Sequence, residues 1–403
     1  MTDWRGRDRE LLTLQKNIGW RMKSKLFLFF GIFPLLLLAG CEKEPAEPRK
    51  PEVPELEDGV IPVVFHVLYE DPNDRTQSPA ASVFEKRIEQ LNRFYAATLF
   101  PSAGSQSVKV RFALASRGPD GEALAEPGVH RVSYPGAANM SSDRFLDHKR
   151  TLSVRDKAML WNPNRYVNVW LFGFLDSPDP TQDESGVTGV SYLPYCTSNN
   201  PLVLLQVWDG ALGAEQPKYM HGIALNNRYF APAAREADDE GMFTLCHEMG
   251  HYLGLHHAFL DSNKSQTCGD PNNDATDDGC SDTPKYDRVA YERAFYNHYY
   301  YGASMPYAGT VFDRQACDGR VFASTNVMDY FESHRTNLTS QQRDRIEHVL
   351  RYSPWIPRSK TATKSLLDNF TGEITDEQPE PILMRCSAGS LRHGQHGAAA
   401  QLR

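Results

Sequence analysis

The stretch His247-Glu248-Met249-Gly250-His251-Tyr252-Leu253-Gly254-Leu255-His256-His257 decides how the rest of the chain is read. An α-helix advances about 100° per residue, so His247 and His251 lie on one face. The run Phe243-Thr244-Leu245-Cys246 before them and Tyr252-Leu253 after them predict a helix over 239–253 with a buried face. Gly254 then ends the helix, because glycine accepts the positive φ of a sharp C-terminal turn. The turn brings His257 back as a third imidazole. Three protein ligands leave one tetrahedral position for water, the arrangement of a catalytic rather than a structural zinc site. His256 is the rival third ligand, and the six-residue step from His251 favours His257. Glu248 follows the first ligand and would stand beside that water, placed to take its proton and pass it to a leaving amine.

The pattern H-E-x-x-H-x-x-G-x-x-H arises by chance in on the order of one such chain in ten thousand. It matches the extended zinc signature of the metzincin metalloproteases. Asn326-Val327-Met328-Asp329-Tyr330 follows far downstream. Ile61-Pro62-Val63-Val64-Phe65-His66-Val67, Leu91-Asn92-Arg93-Phe94, Arg165-Tyr166-Val167-Asn168-Val169-Trp170 and Asp282-Thr283-Pro284 add to the likeness. Together they resemble the pappalysin or cytophagalysin (M43-like) group, over roughly residues 60–352. The subgroup they resemble is that of bacterial zinc-dependent metalloproteinase lipoproteins.

That resemblance implies an α+β metzincin fold. Its parts are a twisted mixed sheet with long helices, a zinc-binding active-site helix, and an irregular lower subdomain with a methionine turn. It implies one catalytic Zn2+, a protein or peptide substrate, and endopeptidase activity. Met328 would form a soft floor under the ligands. Tyr330 would ligate zinc at rest or stabilise the oxyanion. Val187–Leu193 would be the edge strand on which an extended substrate docks by strand addition. The family commonly staples the loop between zinc helix and methionine turn, so Cys317 is expected to pair with Cys268 or Cys280. Calcium is common in the family.

The remaining segments are read from composition. Residues 26–40, LFLFFGIFPLLLLAG, follow Arg21, Lys23 and Lys25. The run is short of the roughly 20 residues of a membrane span and suits a signal-peptide core. It ends Leu38-Ala39-Gly40-Cys41, the pattern of a bacterial lipoprotein cleavage site, so Cys41 is the candidate for lipidation. A short uncleaved anchor is the alternative, and Met22 is an alternative start. The division expected is 1–41 extension and signal peptide, 42–59 a Glu/Pro-rich tether, 60–357 the catalytic domain, and 358–403 an irregular tail. The location implied is the bacterial cell envelope, lipid-anchored to the outer membrane, with the face left open.

The net charge of −8 and the lack of a basic cluster interleaved with aromatics argue against nucleic-acid binding. Cys246 is expected to pack or pair rather than bind metal. The loop holding Asp270, Asn272, Asn273, Asp274, Asp277, Asp278 and Asp282 offers hard oxygen donors that calcium would take. A solvated acidic loop is the equal alternative, since Ala275 breaks the EF-hand pattern. Residues 201–208 and 221–230 read as further β structure. The tyrosine-rich stretch 288–309 reads as a cleft wall or as the packed skin of an inserted loop. Two rivals to the peptidase stand. One is a surface binding protein or adhesin on a silent scaffold, against which the intact Glu248 speaks. The other is a zinc hydrolase of non-peptide amides.

Overall fold

The structure, a computed structural model, describes residues 59–387 apart from 103, 180, 215–216, 260–267, 269–277, 306–308, 331 and 373–376. All of them lie in one compact unit, Lys50–Arg403; the other unit, Met1–Arg49, lies outside the described residues. So do Cys41, the apolar run before it, Asp270 to Asp277 of the acidic loop, and His393 and His396. Among the described residues no helix is long and apolar enough to cross a membrane.

A seven-stranded mixed sheet organises the fold. Strand β1 (Val60–Tyr69) carries ten residues that are almost all buried. Burial on both faces explains why its sequence, VIPVVFHVLY, is apolar nearly throughout rather than alternating, with His66 the polar exception. It pairs in parallel with β2 (Arg111–Leu114), β3 (Val129–Ser133) and β4 (Val167–Phe172). Strand β4 is fully buried and pairs in parallel with β6 (Ile223–Asn226). Strand β5 (Val187–Tyr192) turns antiparallel on β6, and β9 (Leu383–Ser387) turns antiparallel on β5. The order is β2-β1-β4-β6-β5-β9, with β3 also on β1.

Helix α1 (Ala81–Tyr95) presents Phe84, Ile88, Leu91 and Phe94 to this sheet at helical spacing. Helix α4 (Glu240–Tyr252) is buried along nearly its whole length, so its histidines sit in the core. Two short helices, α2 (Ser142–Leu146) and α3 (Val154–Ala158), lead into β4. After α4 come α5 (Arg288–Tyr301), the hairpin β7 (Asp313–Gln315) with β8 (Val321–Ala323), and α6 (Ser340–Tyr352). Thr339 caps α6 and forms a reciprocal capping box with Gln342. Helix α7 (Lys360–Asp368) precedes β9.

Four readings change. Residues 201–208 form turns rather than a strand, touching the β framework at a single bridge, Cys196 to Val207. Arg288–Tyr301 of the tyrosine-rich stretch is a helix; Tyr291 is buried under the Arg314 guanidinium, while Tyr299 and Tyr301 are exposed. Residues 360–368 and 383–387 are regular structure, not irregular tail. Strand β5 is not the edge of the sheet, because β9 covers it. Of the two partners open to Cys317, Cys268 is the one bonded, and Cys280 is buried outside the bridge.

Candidate metal and active site

Helix α4 is held at both ends. Asp239 accepts the Met242 amide at 3.1 Å, capping the N-terminus, and is paired at 2.7 Å with the fully buried guanidinium of Arg87 from α1. Arg335 grips Glu240 in a bidentate pair at 2.8 and 2.9 Å. At the other end Gly254 has φ +91°, and its amide donates to the His251 carbonyl. A side chain there would be strained in backbone and would meet Val349 Cγ2 at 2.7 Å. This is the sharp turn that the pattern requires.

The turn brings His247, His251 and His257 together, with one ring nitrogen of each within 4.8 Å of the others. Nδ1 of His247 lies 2.7 Å from the Val327 carbonyl and Nδ1 of His251 lies 2.7 Å from the Leu255 carbonyl. A carbonyl only accepts, so each Nδ1 carries the proton and each Nε2 lone pair is left facing inward. Nε2 of His251 and Nε2 of His257 are 3.2 Å apart. Tetrahedral ligands bound at 2.0–2.1 Å would be separated by about 3.3 Å. Burial holds all three imidazoles well below the usual histidine pKa, with neighbouring imidazoles adding to it, so the neutral, ligating form prevails. His256 turns away and meets the Leu204 carbonyl at 3.1 Å.

Glu248 is buried, and burial pushes its carboxyl well above the usual range. Among the described residues, both its oxygens and Nε2 of His247 are buried without a hydrogen-bond partner. Orphaned polar atoms of this kind are costly in a native core. A cation held by the histidines, with a water beside Glu248, would satisfy them, so this donor set fits zinc.

Below the ligands, Met328 is fully buried and packs on Gly250 of α4. A Cβ on Gly250 would meet its sulfur at 2.5 Å. The Met328 carbonyl accepts the Ala258 amide at 3.0 Å, tying the turn to the segment that carries His257. Asp329 pins the same turn from beneath. It accepts Tyr286 Oη at 2.5 Å, is bonded by Ser324, and faces Arg288 at 3.4 Å and Arg314 at 3.5 Å. The Tyr330 ring packs edge-on to His257 and Phe259, each at 4.8 Å, and its hydroxyl donates to the Arg385 carbonyl at 2.5 Å.

His247, Glu248, His251, His257, Met328 and Tyr330 are therefore gathered at one place, while Asp282 of the acidic loop instead accepts the Gln341 amide. The structure adds others. Gly189 of β5 faces α4 so closely that a Cβ would lie 2.6 Å from Glu248 Cγ. A glycine inside a strand is a sign of close backbone approach, so this signal was present in the sequence. Arg288 and Arg314 carry no such sign. Nor do Arg385 and Cys386, which reach the site from the far end of the chain.

The peptidase M43 (pregnancy-associated plasma protein-A) family matches residues 151–351, about half of the chain. The chain belongs to the peptidase M43 family. The M43 match runs from before β4 to the end of α6 and contains both the zinc-type signature and the methionine turn; Ile61–Val67 and Leu91–Phe94 lie outside it. Mature mirolysin of Tannerella forsythia, in complex with a cleaved peptide, is 21% identical, covers 72% of this chain and 91% of its own, and superposes with a TM-score of 0.43. A promirolysin mutant of the same organism is 19% identical, covers 78% and 86%, and also scores 0.43. An uncharacterized protein of Acanthamoeba polyphaga mimivirus is 24% identical over 151 residues, which are 37% of this chain and 14% of that protein's length.

Proposed function

We propose that this M43 member is a zinc-dependent endopeptidase. The observation that carries the reading is the set of buried, unpartnered atoms at one point: Nε2 of His247 and both oxygens of Glu248, beside His251 and His257. His247, His251 and His257 would hold the zinc ion, and the chemistry it would supply is to acidify water and polarise a carbonyl. Glu248 accepts the proton of the attacking water. In the next step it returns that proton to the departing amine. Tyr330 donates a hydrogen bond to the carbonyl oxygen as negative charge develops there; its present bond to a peptide carbonyl, that of Arg385, is the same kind of contact. Met328 and Asp329 act through position, holding the floor and the tyrosine. Lipidation of Cys41 and tethering to the bacterial envelope complete the reading on sequence grounds.

The test compares wild type with Glu248→Ala on a quenched peptide library, with and without chelator. Hydrolysis by the wild type that chelator and the substitution both abolish is the expected result. Equal cleavage by both proteins would end the assignment. Retained metal with no cleavage of any peptide would favour a binding protein on a silent scaffold.

A further inference from the structure

Strand β9 lies along the outer edge of β5, where an extended peptide would add to the sheet. Leu383 sits opposite Tyr192, Met384 opposite Ser191, Arg385 opposite Val190 and Cys386 opposite Gly189. The ladder begins one residue earlier, with the Leu193 amide donating to the Ile382 carbonyl at 2.9 Å. The strand then runs directly over the histidines. The Arg385 carbonyl is 3.0 Å from Nε2 of His257 and accepts the Tyr330 hydroxyl. A carbonyl held between a ligand imidazole and Tyr330 occupies the position proposed above for the scissile carbonyl. Next in the chain, the buried Cys386 sulfur lies within 4.8 Å of ligand atoms of His247 and Glu248. It stands on the same side of the site as Glu248, with the strand backbone over it. The Arg385 side chain is paired with Asp143 of α2, which fastens the strand from its other side.

We propose that residues 382–387 are a built-in occupant of the peptide cleft. They lie antiparallel along β5, at the edge where an extended substrate would add, with Cys386 closing off Glu248, so that this form of the chain is self-inhibited. The register leaves no room for a second peptide on β5, because β9 takes up that edge of the strand opposite residues 187–192. The proposal rests on the peptidase reading of the site, but its primary readout is binding rather than turnover.

The test uses the full chain, a chain ending at Pro381, and full-length Arg385→Glu. The last sets a carboxylate against Asp143 and, at a half-exposed position, leaves the core untouched. The probe is a fluorescent synthetic peptide of residues 382–387, followed by anisotropy. The shortened chain and Arg385→Glu are expected to bind it saturably. The full wild-type chain is expected to bind it at least about tenfold more weakly and to cleave library peptides at least about tenfold more slowly. Binding of the probe to wild type as tight as to the shortened chain, or to none of the three, overturns the proposal. If the shortened chain does not fold, Arg385→Glu carries the same comparison. Should no chain cleave any peptide while the probe still binds only the opened forms, the peptidase reading falls and the occupied cleft stands.

Discussion

The molecule buries two clusters of histidine, and they are built to opposite ends. In the first, His66 of β1 spends both ring nitrogens on side chains: Nδ1 meets His130 Nδ1 at 2.9 Å, and Nε2 meets Asn168 Oδ1 at 3.0 Å. Asn168 in turn donates to the Trp161 carbonyl at 2.9 Å, and Trp161 packs edge-on to His66. The network is closed, and no lone pair on His66 is left over. In the second, His247 and His251 spend only Nδ1, on backbone carbonyls, and keep Nε2 aimed at a common point with His257. Burial alone therefore does not make a metal site. What distinguishes the two is where the second nitrogen points and whether the protein itself satisfies it.

Glu248→Ala should break the second cluster's chemistry most severely. General acid–base groups contribute about 10²–10⁴-fold, so kcat should fall by roughly that factor while metal content, read by elemental analysis, is kept. His251→Ala should cost at least about 100-fold in zinc affinity by chelator competition, since even partners behind the ligands cost 10–100-fold. His66→Gln should leave that affinity unchanged, and an equal loss in both variants would erase the distinction drawn here.

Acid sharpens the contrast from the other side. Burial, helped by His130 and opposed by the Asn168 hydrogen bond, brings the His66 pKa down from 6.5 to about 3. Between those values the unfolded chain takes up a proton that the folded chain refuses, so stability falls as pH falls. From this group the loss should be about 2 kcal/mol at pH 5 relative to neutral pH. Urea unfolding at the two pH values should show that extra slope in wild type and not in His66→Gln. Met328→Leu should have the smallest effect, about 1 kcal/mol, because it nearly conserves volume on Gly250. A large loss of metal in that variant would mean that the sulfur does more than fill space.

How much could be read in advance followed the range of each interaction. The zinc-type helix and the glycine that ends it rest on spacing within a few residues, and the structure forms both. Gly189 had a local signal that only its contact with Glu248 makes meaningful. The buried pairs Arg87–Asp239 and Arg288–Asp329 join residues far apart in sequence, and charge alone does not name a partner. The strand Leu383–Ser387 is not legible in advance because LMRCS has no alternation of apolar and polar residues.

By itself, the sequence determined that His247 and His251 share a helical face, that Gly254 turns the chain, and that Glu248 stands between the ligands, because a helix converts spacing into direction. Only the tertiary structure decided that β9 lies on β5, that Arg385 and Cys386 meet the site, and that His66 is sealed in a closed network. Backbone hydrogen bonds of a strand are the same for any partner, and the choice among partners is made by packing across the whole fold.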